Sequence, residues 1–103
     1  MATCFDIGAI DQIPIGEGRN FRLADRTVAV FRTHDDAVFA TQPDCPHRQG
    51  PLADGLLGGT TIICPLHDRA YDLRTGKSAT GECPLKIYPV IVTDDRHVCV
   101  TVE

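Results

Sequence analysis

Apolar and polar residues alternate in short stretches, at residues 20–23, 27–33, 38–41, 60–64, 85–93 and 97–102. A period of two predicts strands with one side chain in two facing a core. Turn formers stand between the stretches: Ala24-Asp25-Arg26, His34-Asp35-Asp36, Gly58-Gly59, Arg74-Thr75-Gly76-Lys77 and Asp94-Asp95. Short strands at this spacing suit an antiparallel all-β sandwich or barrel. No segment keeps a helical period over three turns, although residues 9–13 and 51–53 each suit a single turn. Residues 42–59 and 78–84 are too rich in Pro and Gly to be regular and are candidate site loops. No linker divides the chain, so residues 1–103 read as one domain with two site loops.

Size and charge narrow the function. A chain of 103 residues buries a modest core unless something staples it, and a metal cluster is one such staple. The net charge is -4 and no basic run is interleaved with aromatics, which argues against nucleic acid as a partner. The first residues lack the basic and apolar regions of a signal peptide, and no apolar stretch is long enough to span a bilayer. The expected compartment is the cytoplasm, with no membrane partner.

The cysteines, Cys4, Cys45, Cys64, Cys83 and Cys99, are odd in number, which in a chain without an export signal favours metal ligation over a disulfide framework. Two of them sit in a C-x-H-x16-C-x2-H pattern formed by Cys45, His47, Cys64 and His67. Zinc sites usually pair like with like, as in C-x2-C with H-x3-5-H, whereas here each short pair mixes a thiol with an imidazole. A two-iron cluster uses that mixture, because each loop then gives one ligand to each iron. The alternatives are a zinc or four-iron site recruiting Cys83. His34 and His97 read as solvated residues, and Cys4, Cys83 and Cys99 as thiols without a function, with Cys83 expected close to the cluster. The Cys-Pro pairs at residues 45, 64 and 83 recur every 19 residues, but Lys86 stands where a third His would be, so the repeat is read as coincidence.

The runs Cys45-Pro46-His47-Arg48-Gln49-Gly50-Pro51-Leu52 and Cys64-Pro65-Leu66-His67-Asp68-Arg69-Ala70-Tyr71, with Pro84-Leu85-Lys86-Ile87-Tyr88-Pro89-Val90, resemble the two cluster loops and the proline-bearing cover of the Rieske family. The resemblance implies one [2Fe-2S] cluster held by Cys45, His47, Cys64 and His67, in a Rieske-type antiparallel β-fold. It implies an electron-transfer protein with redox partner proteins and no catalytic residues of its own. Two thiolates on a core of two ferric ions and two sulfides leave a neutral site, where four would leave it at -2. Adding an electron is then easier, and Rieske potentials reach about -150 to +300 mV against about -400 mV for plant-type ferredoxins. High-potential respiratory members carry an extra Cys in each loop and a Ser after the last His. Gly50, Leu66 and Arg69 occupy those places here, which implies a potential in the lower part of the range. Tyr71 matches the respiratory tyrosine and works in the opposite direction.

The chain has no room for the mononuclear iron domain of an oxygenase and lacks a Gly-rich nucleotide fingerprint, so it is expected to relay electrons and not to accept hydride. Segments 48–52 and 80–84 resemble the NirD-like small subunit of assimilatory NAD(P)H nitrite reductase, whose large subunit carries flavin and sirohaem. The second reading is a ferredoxin shuttling electrons from a flavin reductase to an aromatic-ring dioxygenase. The third is a module whose cluster does no turnover.

Overall fold

The computed structural model describes residues 3–46, 50–65, 69–79 and 83–102. Its elements are β1 (Thr3–Ala9), a 3-10 turn (Ile10–Gln12), β2 (Glu17–Leu23), β3 (Arg26–Arg32), β4 (Val38–Thr41), a 3-10 turn (Leu52–Asp54), β5 (Leu56–Gly58), β6 (Thr61–Ile63), β7 (Ala70–Asp72), β8 (Ile87–Tyr88), β9 (Val90–Val92) and β10 (His97–Val102). The strands form three antiparallel sheets, ordered β1-β10-β9, β2-β3-β4-β8 and β5-β6-β7. The all-β class expected from the alternation is therefore the class that forms, and both single turns fall where short apolar segments suited them.

β3 sets the layering. Successive side chains of a strand point to opposite faces, and here both faces are buried. Val28 and Val30 join Ile10, Ile13, Val98 and Val100 in one apolar core, while Ala29 and Phe31 join a second core with Ile62, Tyr71 and Leu73. The first core lies between the β1-β10-β9 sheet and the sheet of β3. The second lies between β3 and the small β5-β6-β7 sheet that carries the site loops. The opening for Phe31 comes from β2: Gly18 is its cross-strand partner, and a Cβ there would lie 2.5 Å from the Phe31 ring.

Several elements depart from the alternation pattern. β5 forms within residues 42–59, which were expected to be irregular, and β7 falls outside the alternating stretches; both are strands because they ladder onto the two edges of β6. β1 was not expected, because its pairing with β10, register Thr3↔Val102, joins the two ends of the chain. The run 85–93, expected as one strand, is two. β8 pairs with β4 and β9 with β10, so the chain changes sheets at Pro89, which has no N–H for a ladder.

The hairpins β3–β4 and β9–β10 are closed by matching turns. Thr33 N–H donates to Ala37 O and Thr93 N–H to His97 O, both at 2.8 Å. In each, the threonine hydroxyl bonds the aspartate two residues on, Asp35 or Asp95. The fourth residue, Asp36 or Arg96, takes a left-handed φ of 69 or 66°. The turns are tied together, since Asp36 accepts from Arg32 Nε at 2.7 Å and pairs with an Arg96 guanidinium nitrogen at 2.9 Å. Arg32, largely buried, also donates to Ile13 O at 3.1 Å.

Two predictions follow from this packing. Gly18→Val should displace Phe31 and cost about 1–3 kcal/mol of stability by overpacking, read as a lower urea midpoint. The Arg32 hydrogen bond, then that of Arg96, holds the Asp36 carboxyl below the usual carboxylate range. Its stabilisation is complete above the unfolded-state value of about 3.9 and is lost as pH falls through the lower folded value. Asp36→Asn should therefore lower stability at pH 7 and flatten the decline below about pH 4 in an acid titration followed by circular dichroism.

Candidate metal centre

Two loops leave the sheets with the same closure. The Cys45 N–H donates to Gly50 O and the Cys64 N–H to Arg69 O, each at 2.8 Å. Each cysteine thus opens a loop whose ends are pinned five residues apart, and a proline follows it in both. The first loop is flanked by the bridge Asp44↔Pro51 and by Leu52 N–H donating to Pro43 O at 3.1 Å. The second continues the β6–β7 pairing at Ile63↔Ala70. The sixteen residues between the cysteine-histidine pairs include the 3-10 turn and the β5–β6 hairpin, which bring the loops back to one place.

Cys45 and Cys64 are fully buried, in the same apolar cluster as Phe31, Leu52, Tyr71 and Leu85. None of the five cysteines forms a disulfide. Tyr71 is the largest fully buried side chain among the described residues, and its Oη lies 3.3 Å from Cys45 Sγ. Against a thiolate the phenol is the donor.

A third segment braces this pair. Gly76 has φ +82°, and its N–H donates to Asp72 O at 2.6 Å. Leu85 N–H donates to Gly76 O at 2.7 Å, and a Cβ at position 76 would lie 2.3 Å from Leu85 O. No side chain fits there, so residues 84–86 lie directly against the turn after β7. Gln42 ties the same segment to the first loop. Its Oε1 accepts from Lys86 N–H at 2.7 Å, its N–H donates to Lys86 O at 3.0 Å, and its Nε2 donates to Asp44 O at 2.8 Å.

Of the expected ligands, Cys45 and Cys64 are brought together in one cluster. His47 and His67 lie outside the described residues, as do Arg48, Gln49, Leu66, Asp68 and the run 80–82. Cys83, considered as a recruit for zinc or four irons, is exposed. Leu85 carries part of the frame and was marked by its place in the proline-bearing segment 84–90; Gln42 carries another part and had no sequence signal beyond its nearness to the Pro-rich loop. His97, expected to be simply solvated, is partly exposed and pairs with Asp6 at 3.0 Å, which pushes its pKa up.

Two buried thiols on matching loops, one facing a phenol, fit a cluster that takes one cysteine from each loop. Comparison with known proteins agrees. The chain belongs to the Rieske [2Fe-2S] family, whose domain model matches residues 3–89. The biphenyl dioxygenase ferredoxin subunit of Pseudomonas sp. strain KKS102 is 36% identical over 95 residues, covering 89% of this chain and 85% of that protein. Among solved structures, Escherichia coli NirD is 28% identical with a TM-score of 0.86, covering 99% of this chain and 98% of that one. A crystal structure described as an NADH-dependent nitrite reductase small subunit from Mycobacterium tuberculosis has a TM-score of 0.91 over 100% of this chain and 97% of that one; at 23% identity it speaks for the fold. The protein is thus a Rieske-type electron carrier that binds a [2Fe-2S] cluster.

The group supplies one-electron chemistry when bound, and the residues around it set its potential. Tyr71→Phe should lower the midpoint by about 40 mV, which is one hydrogen bond's net ~1 kcal/mol expressed for a one-electron couple. Protein-film voltammetry measures it, and an unchanged midpoint would remove Tyr71 from the tuning shell.

Proposed function

We propose that Cys45 and Cys64 bind one iron and His47 and His67 the other, and that the chain relays single electrons as the small subunit of an NAD(P)H-dependent nitrite reductase. The ligand assignment rests on the burial of Cys45 and Cys64 in one apolar cluster at the mouths of identically closed loops. The mixed spacing of the pattern supplies one histidine per loop. The nitrite reductase assignment is supported by the 28% identity to Escherichia coli NirD over nearly the full length of both chains, together with the resemblance of segments 48–52 and 80–84. The chain works as one domain in the cytoplasm, with a flavin- or sirohaem-containing reductase subunit as its partner, and with neither nucleic acid nor membrane. No helix among the described residues is long and apolar enough to cross a bilayer.

A second reading, a ferredoxin serving an aromatic-ring dioxygenase and its reductase, is favoured by the 36% identity to the biphenyl dioxygenase ferredoxin subunit. Both readings need the same centre and differ in the partner.

The purified protein should contain two irons and two acid-labile sulfides per chain, and zinc after anaerobic preparation would overturn the centre. Its midpoint should lie below about +100 mV and vary little with pH near 7. For the partner, deletion of the gene should abolish growth on nitrite as sole nitrogen source and leave growth on ammonium intact. Retained growth on nitrite with loss of growth on an aromatic carbon source would establish the second reading instead.

A further inference from the structure

Outside the site loops, one pair of cysteines is brought together by the fold. The register of β1 with β10 sets Cys4 opposite Thr101 and Asp6 opposite Cys99. Cys4 and Cys99 are therefore diagonal neighbours on one face of the sheet. That face is the outer one, since the alternate residues Val98, Val100 and Phe5 pack into the first core. Cys4 is exposed and Cys99 half-buried. We propose that Cys4 and Cys99 are a redox-active thiol pair that closes into a disulfide by exchange with a low-molecular-weight disulfide such as oxidised glutathione.

The chemistry proceeds in two exchanges. The exposed Cys4, as thiolate, attacks one sulfur of glutathione disulfide, forming a Cys4–glutathione mixed disulfide and releasing one glutathione thiol. The Cys99 thiolate then attacks the Cys4 sulfur, forming the Cys4–Cys99 bond and expelling the second glutathione. The two protein thiols lose two electrons and two protons, and one glutathione disulfide becomes two thiols. Partial burial and the neighbouring Cys4 push the Cys99 thiol's pKa up. That places Cys4 as the entering sulfur and Cys99 as the resolving one.

Diagonal neighbours in an antiparallel pair have Cα atoms about 7–8 Å apart, and a disulfide needs them within about 6.8 Å. β1 has the freedom to close that gap. Among the described residues it is an edge strand paired with β10 alone, Cys4 is the second residue of the strand, and the Cys4 and Cys99 thiols already interact through their side chains. The closed bond would join the first strand to the last and so restrict nearly the whole unfolded chain, the case in which a cross-link constrains the unfolded state most.

The test uses the cluster-loaded protein incubated with oxidised glutathione, then alkylated, digested without reductant and analysed by mass spectrometry. The expected result is a Cys4–Cys99 cross-linked peptide pair that is lost in Cys4→Ser and in Cys99→Ser and kept in Cys83→Ser. The oxidised protein should also melt at least about 5 °C higher than the reduced one, and dithiothreitol should reverse the shift. A stable glutathione adduct on Cys4 with Cys99 alkylated would overturn the proposal, as would Cys4 joined to Cys83 or to a second chain.

Discussion

Cys45 and Cys64 have no exposed surface, and a thiolate in such a place is stable only against a cation or strong donors. Most of the architecture around the second core follows from holding these two sulfurs in a dry, fixed position. The backbone closures at Gly50 and Arg69 fix where each cysteine leaves its sheet. Tyr71 presents a phenol to one of them from inside the core, where water does not compete with its hydrogen bond. Leu85, seated against Gly76, seals the third side. A centre that gains and loses an electron needs such rigidity, because ligands that move little between oxidation states add little to the cost of transfer.

β3 connects this site to the rest of the molecule. A strand buried on both faces cannot shift toward either core without opening the other, so the wall behind Cys45 and Cys64 is as fixed as the main core. Ala29 and Phe31 form that wall, and Val28 and Val30 root it. Gly18 shows how tightly the arrangement is matched, since the Phe31 ring occupies the space of the missing side chain. At the turn between β3 and β4 the Arg32–Asp36–Arg96 contacts tie the two hairpins together. Charged groups there do work for which the small apolar core has no spare side chains.

Much of this was legible in the sequence, and the gaps have physical reasons. The alternation of β3 and β10 and the turn residues around them marked strands because their partners are near in sequence or their cores are strongly apolar. β1 was not legible: Thr3–Ala9 is a strand because β10 pairs with it from the far end of the chain. The division of 85–93 at Pro89 follows a local rule, the missing N–H, but which sheet each half joins is a tertiary fact. At the site, Cys45 and Cys64 stood out by spacing and Tyr71 by resemblance. Gln42 did not, because a glutamine that joins two loops through its amide looks like any polar residue beside a proline. The exposed Cys4 and the half-buried Cys99 lie at opposite ends of the sequence, and their adjacency exists only in the folded sheet.

The placement of charge follows the same logic as the ligand set. Residues 42–86, which contain both loops and the covering segment, carry five acidic and five basic side chains, so the whole net charge of -4 belongs to the remainder of the chain. Two thiolates leave an oxidised two-iron core neutral, and a neutral segment around it adds no long-range penalty to the arriving electron. Moving that excess of acid into the loops would oppose reduction through a low-dielectric interior, where unit charges interact far more strongly than in water. Kept on the strands and turns beyond, the same charges are screened by solvent over about 8–10 Å. The potential is then left to the groups nearest the cluster, among them the buried sulfurs and the phenol of Tyr71.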